Sequence, residues 1–144
     1  MKFWDASAIV PLCLDQPESE IAESILKVDR KMVVWWASPV ECWSAFARLK
    51  RERSVNEQGE KSTVDRLDTL RSTWEEVLPG EAVREQAARL LRLHPLRAAA
   101  ALQLAAALVW TDSPPTAGTG FVTFDGRLAT AARLEGFAVL SGPG

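Results

Sequence analysis

The chain has 144 residues, of which 47% are hydrophobic and 25% charged, with a formal net charge of −2 and a sequence pI near 5.5. That length fits one domain with a sizeable core, and the balanced charge gives no overall argument for nucleic-acid or membrane-surface binding. Two cysteines in unpaired, apolar contexts, Cys13 and Cys42, exclude a disulfide scaffold and a zinc site and read as reduced core thiols. No apolar run approaches the ~18 residues a membrane span needs, and no basic-then-apolar leader opens the chain, so a cytoplasmic protein without a membrane anchor is expected.

In chain order, Lys2 to Trp4 is a short apolar strand that runs into Asp5 and at once into a helix over Ala6 to Leu14, stopped by Asp15, Gln16 and Pro17. Glu18 to Val28 carries Ile21, Ile25 and Val28 at helical spacing, and Lys31 to Trp36 is a β-prone run suited to a buried parallel strand. Trp35 and Trp36 should then face opposite sides of the sheet. Ser38 and Pro39 open the next helix, with an apolar stripe of Val40, Trp43, Phe46 and Ala47 continuing toward Lys50. Ser54 to Gly59 reads as a polar break, and Glu60 to Thr73 as a charged helix with a narrow stripe of Val64, Leu67 and Leu70.

Trp74 to Leu78 is a weaker strand, Glu81 to Leu93 an amphipathic helix ended by His94 and Pro95, and Leu96 to Trp110 the least polar segment, broken mainly by Arg97 and Gln103. Its alanines let a helix approach the sheet closely. Thr111 to Gly120 is a loop, Phe121 to Phe124 a strand ending in Asp125, Gly126 to Glu135 a helix stopped by Gly136, and Phe137 to Leu140 the last strand. This alternation predicts an α/β domain with a mainly parallel central sheet covered on both faces. Two basic groups, Arg48, Lys50, Arg51 and Arg53 at one helix end and Arg84, Arg89, Arg92 and Arg97 along another segment, read first as solvated helix faces with cations near C-termini; RNA or acidic-partner contact is the lesser reading.

Three carboxylates occupy equivalent addresses: Asp5 after the first strand, Glu41 in the first turn after the second, and Asp125 after the FVTF strand. In a parallel sheet these lie on one edge, the edge where open α/β sheets place ligands. Each has a plain structural reading too. Asp5 and Asp125 suit N-caps, and Ser38-Pro39-Val40-Glu41 matches a capping box. Together, several carboxylates on one edge repel each other unless a cation neutralises them, and Mg²⁺, with Mn²⁺ as the alternative, prefers such oxygen ligands while keeping waters for attack. Phosphodiester hydrolysis is a reasonable outcome of that chemistry.

At these blocks, FWDASAIVPL (Phe3 to Leu12), SPVECWSAFARL (Ser38 to Leu49), HPLRAAAALQLAAAL (His94 to Leu108) and FVTFDGRLATAARLEGFAVL (Phe121 to Leu140), the chain resembles the PIN-domain ribonucleases, and among them the VapC-type toxins of toxin-antitoxin pairs. The resemblance covers nearly the whole chain and implies a single PIN-like domain over residues 1–144, a three-layer α/β/α fold, and a Mg²⁺-dependent endoribonuclease with a four-acid pocket. It also implies a homodimer, an RNA substrate and a cognate antitoxin that covers the pocket. The pocket would comprise Asp5, Glu41, Asp125 and an aspartate in the alanine-rich helix. Similar proteins read Leu-Arg-Ala-Ala-Asp-Ala-Leu there; Leu96 to Leu102 here reads LRAAAAL, so Ala100 stands where the acid is expected. Asp5, the position of Ala100 and Asp125 are the implied metal ligands, Glu41 and Asp125 would orient water, and Ser7 and Thr123 are supporting hydroxyls, although local backbone bonding explains those two equally well. Loss of one ligand predicts a strongly impaired nuclease.

Two other readings stand beside this one. A catalytically dead copy would act only by binding antitoxin or RNA. A phosphoacceptor or phosphatase domain would need a second aspartate where Ser7 stands, or an acidic pair with a late lysine, and neither is present. His94, the single histidine, has no second histidine or nucleophile motif beside it and reads as a helix-end residue rather than a general base.

Overall fold

The structure, a computed structural model, describes residues 1–52, 56–112 and 114–141. Its elements run β1 (Lys2–Trp4), α1 (Ala6–Cys13), α2 (Ser19–Val28), β2 (Met32–Trp35), α3 (Ser38–Arg51), α4 (Glu57–Arg71), β3 (Glu75–Val77), α5 (Glu81–Leu93), α6 (Ala98–Thr111), β4 (Gly120–Val122), α7 (Gly126–Leu134) and β5 (Ala138–Leu140). The strands form one sheet of order β3-β2-β1-β4-β5, with every neighbouring pair parallel.

Side-chain alternation along the strands divides the core into two layers, one on each face. Phe3, Val33, Trp35 and Phe121 point to a layer closed by Val83, Leu90, Leu104, Leu108 and Leu128 of α5, α6 and α7. Trp4, Met32, Val34 and Val122 point the other way, to Ile9, Ala22, Phe46 and Leu67 of α1 to α4. This is the three-layer α/β/α, PIN-like architecture expected. The inner strands β1, β2 and β4 are buried and the edge strands β3 and β5 are half exposed. Ala105, Ala106 and Ala107 are fully buried, and their small side chains bring α6 down onto the sheet and α5.

Several local expectations change. Of the stripe Val40, Trp43, Phe46 and Ala47, Phe46 is buried as expected but Val40 and Trp43 are exposed, and α3 turns Pro39 and Cys42 inward beside Phe46. An aromatic side chain out of the core is tolerable here because Arg71 lies over the Trp43 ring, 5.5 Å from its centroid. Likewise α2 packs through Ala22, while Val28 is exposed. Helix α4 begins inside the segment read as a polar break, because Asn56 Oδ1 accepts a hydrogen bond from Gly59 N at 2.8 Å and caps it. The rest of that break, residues 53–55, lies outside the described residues, and Arg53 with it. Helix α6 starts at Ala98 rather than Leu96, with Arg97 extended at its N-cap. The basic residues Arg48, Lys50 and Arg51 do fall in the last turn of α3, and Lys50 pairs with Glu60 at 2.8 Å. Strand β2 ends at Trp35, one residue short of the expected run; Trp35 is buried and Trp36, just beyond the strand, is exposed. Among the described residues no helix is long and apolar enough to cross a membrane.

Candidate functional site

Because all strands are parallel, the C-terminal ends of β2, β1 and β4 lie side by side on one edge, and the chain order reverses there between β1 and β4. That reversal opens the crevice in which sheets of this kind bind ligands. Asp5 leaves β1 on one side of it and Thr123 to Asp125 leave β4 on the other.

Asp5 is nearly buried, and its hydrogen bonds converge on Oδ2. Ser7 Oγ donates to it, Thr123 Oγ1 donates at 2.8 Å and Ser7 N at 3.3 Å. In return Phe124 N donates to Ser7 Oγ at 2.9 Å and Asp125 N to Thr123 Oγ1 at 3.1 Å. A hydroxyl has one proton, and both Ser7 and Thr123 spend it on Asp5 while their lone pairs receive the amides of the turn after β4. The network thus stitches that turn to β1 and holds Oδ2, leaving Oδ1 outside it. Burial pushes the Asp5 carboxyl above its ordinary value and the charge on Asp125 adds to this; the Ser7 and Thr123 hydroxyls and the Ser7 amide pull the other way. Both hydroxyls therefore act on the carboxylate as well as on local backbone.

Asp125 is an exposed N-cap. Its Oδ1 accepts from Arg127 N at 3.0 Å and Leu128 N at 3.2 Å, starting α7 as the capping reading expects. Asp5 likewise caps α1 through Ser7 N. The capping box at Ser38 to Glu41, by contrast, is not formed: Ala37 is the N-cap of α3 and no side chain caps it. Glu41 instead accepts a hydrogen bond from Gln103 Nε2 at 2.6 Å, and the same nitrogen donates to Ser38 Oγ at 2.8 Å. Burial pushes Glu41 up to about 7; the Gln103 bond lowers it and the charge on Asp5 raises it further. The charge on Asp125 thus bears on Asp5, and the charge on Asp5 bears on Glu41.

Ala100 is the third residue of α6, half-buried, one turn before Gln103 on the same side of the helix. Its methyl group packs on the core layer under α6 and contributes no donor. Among the described residues no group of three or more His, Cys, Asp or Glu side chains is gathered closely enough to hold a metal ion. What remains is an oxygen-only donor set of aspartates and a glutamate, which suits a hard cation through one or two direct carboxylates rather than a closed cage.

Gln103 is the residue that residue-by-residue reading passed over. It is fully buried, and the signal was present as the one uncharged polar interruption of an alanine- and leucine-rich helix, one turn from position 100. The other candidates are structural. His94 is the C-cap of α5, and its Nε2 sits 2.8 Å from Glu135 Oε2. Cys13 and Cys42 are free and buried; burial pushes the Cys13 thiol up to about 12 and Cys42 upward as well, so neither is a thiolate nucleophile.

No family model matches the chain, and no curated protein matches it significantly. The fold does have a solved counterpart. The crystal structure of FitAcB from Neisseria gonorrhoeae superposes with a TM-score of 0.67 at 18% identity, covering 97% of this chain and 96% of the other. At that identity the likeness is one of fold, shared from end to end.

Proposed function

We propose that this chain is an endoribonuclease-type toxin of a toxin-antitoxin pair, Mg²⁺-dependent in design and strongly impaired as it stands because Ala100 replaces a metal-binding aspartate. The observation that carries the reading is the acid edge, in which Asp5, Glu41 and Asp125 follow three adjacent strand ends, the charge on Asp125 raising the proton affinity of Asp5 and the charge on Asp5 raising that of Glu41. Conserving fold alone does not require carboxylates that destabilise each other. The likeness to FitAcB over the whole chain supports the fold half of the proposal.

Asp5 and Asp125, with an acid at position 100, would hold Mg²⁺ or Mn²⁺, which when bound neutralises the phosphodiester and lowers the pKa of its water. The chain's own groups do the rest. Ser7 and Thr123 fix Asp5 Oδ2, so that Oδ1 is the oxygen left for a ligand. Glu41, with a carboxyl that titrates near neutrality, is placed to orient water and accept its proton. Arg97 and Arg127, exposed at the starts of α6 and α7, supply cations for the phosphates. A homodimer, a cognate antitoxin over the acid edge and a cytoplasmic location complete the proposal.

The second reading, a catalytically dead domain that binds antitoxin or RNA, is favoured by one observation: among the described residues no three potential ligands are gathered for a metal. Cleavage of structured RNAs by the chain and by its Ala100→Asp variant, each with Mg²⁺ and with chelator, separates the two. We expect the variant to cleave at least ~10²-fold faster than the parent, in Mg²⁺ only, as removal of a metal-site group commonly costs that much. Equal cleavage by both proteins overturns the assignment of position 100, and no cleavage by either transfers the reading to the binding module.

A further inference from the structure

Gln103 is fully buried, yet its amide is only half used. Nε2 spends both of its protons, on Ser38 Oγ at 2.8 Å and Glu41 Oε2 at 2.6 Å, while Oε1 has no partner. A side chain placed for packing alone would be apolar at such a position, since an orphaned buried acceptor is costly. Turning the amide over would be worse: it would set a carbonyl oxygen against the Glu41 carboxylate and leave two donors in the apolar interior. The orientation is therefore dictated by Glu41. The bond to Ser38 adds a second function, because Ser38 is the first residue of α3 and Glu41 lies one turn further on. One amide on α6 thus fixes both the start of α3 and the carboxylate that α3 presents. With no side-chain cap on that helix, nothing else found in its first turn holds Glu41 in place.

We propose that Gln103 is a positioning residue that anchors the first turn of α3 and keeps the Glu41 carboxyl aimed at the acid edge. The unpaired Oε1 is the cost of that orientation. The catalytic half of the inference rests on the nuclease reading; the structural half does not. Glu41 accepts one charge-assisted hydrogen bond among the described contacts, so its behaviour should depend on Gln103 more than on any other single residue.

The test replaces Gln103 by Leu, which fills the same space without donors, with Gln103→Met as the second variant should the first fail to fold. In the metal-free chain, the carboxyl ¹³C resonance of Glu41 is followed against pH. We expect its midpoint to move about one pH unit or more above that of the parent, the size of a lost charge-assisted bond. In the Ala100→Asp background, the added substitution should lower kcat by about 10²-fold with KM unchanged, the signature of a misplaced group rather than lost binding. An unmoved Glu41 midpoint overturns the proposal and leaves the nuclease reading intact. A moved midpoint with unchanged kcat overturns the catalytic half. If Ala100→Asp cleaves no RNA the nuclease reading falls, and the carboxyl midpoint still decides whether Gln103 holds Glu41.

Discussion

Glu41 titrates near 7 because burial and the charge on Asp5 both oppose its ionisation, and Gln103 offsets only part of that opposition. A carboxyl whose folded-state pKa lies above its unfolded value binds more protons in the native state between the two, so stability falls as pH rises from about 4.5 through about 7. Glu41→Gln removes the charge while leaving an oxygen for Gln103 to bond. The variant should be more stable than the parent above pH 7, by about 1–2 kcal/mol after allowance for the partial exposure of this side chain. Below about pH 4.5 the difference should disappear, since the parent carboxyl is then protonated in both states. Urea denaturation at pH 8 and pH 4 checks this, and a variant less stable than the parent at pH 8 would contradict the assignment. Asp5 is pushed the same way by its burial. Stability sacrificed at two acids on one edge is the pattern of a site rather than of a core.

At the level of elements, the C-terminal ends of α5 and α7 are tied by Glu135, which receives Arg89 and His94 Nε2 together. Burial works against the Glu135 carboxylate, but the Arg89 and His94 hydrogen bonds and charges outweigh it and hold its pKa below the ordinary value. The sign is opposite to that of Glu41: the stabilisation is present above about pH 4.5 and is lost as pH falls through the folded-state pKa. Glu135→Gln should cost about 1–2 kcal/mol at pH 7, less than a fully buried pair because Arg89 is partly exposed, and progressively less as pH falls below about 4.5 toward the folded-state pKa; chemical denaturation at pH 7 and through the acid range reads both. This tie was invisible in the sequence, where His94 and Glu135 lie 41 residues apart and only the helix-ending role of His94 could be read. The elements themselves were legible where the signal is local: β1 falls at its expected bounds because a short apolar run meets the helix-capping Asp5, and α5 because Pro79 and Pro95 flank its apolar spacing. Where a side chain acts at a distance the bounds slip. The expected Phe121 to Phe124 strand runs instead from Gly120 to Val122, with the Thr123 hydroxyl just beyond it given to Asp5, and the cap at Asn56 starts α4 early. Asp5, Glu41 and Asp125 were legible because a parallel sheet puts strand ends on one edge, whereas Gln103 reaches that edge only because α6 packs on β2, the strand that leads into Ser38 and Glu41.

For the whole molecule, the arrangement that gathers the acids also makes position 100 readable as a binding term. The first turn of α6 carries no acidic residue, and a helix N-terminus favours one by about 0.3–1 kcal/mol, which opposes the repulsion a new carboxylate would feel from Glu41 and Asp5. In chelator, Ala100→Asp should therefore change global stability by no more than about 1 kcal/mol in either direction. If the proposed site takes Mg²⁺, the ion would act on the native state alone, because Asp5, Glu41 and Asp125 come to one edge only when β1, β2 and β4 pair, and position 100 joins them only when α6 docks on the sheet. At 100 times its Kd the ion would contribute about 2.7 kcal/mol, which for a domain of this size raises Tm by about 5–10 °C. The parent chain should gain little over the same titration. A thermal melt of both proteins with Mg²⁺, with Ca²⁺ and with chelator measures this without any RNA. Equal gains in parent and variant would mean that Asp5 and Asp125 suffice for the ion and that Ala100 does not explain an impaired enzyme. No gain in either would remove the metal from the site and leave the acid edge to a basic partner, whose cations would then have to meet the same two destabilised carboxylates.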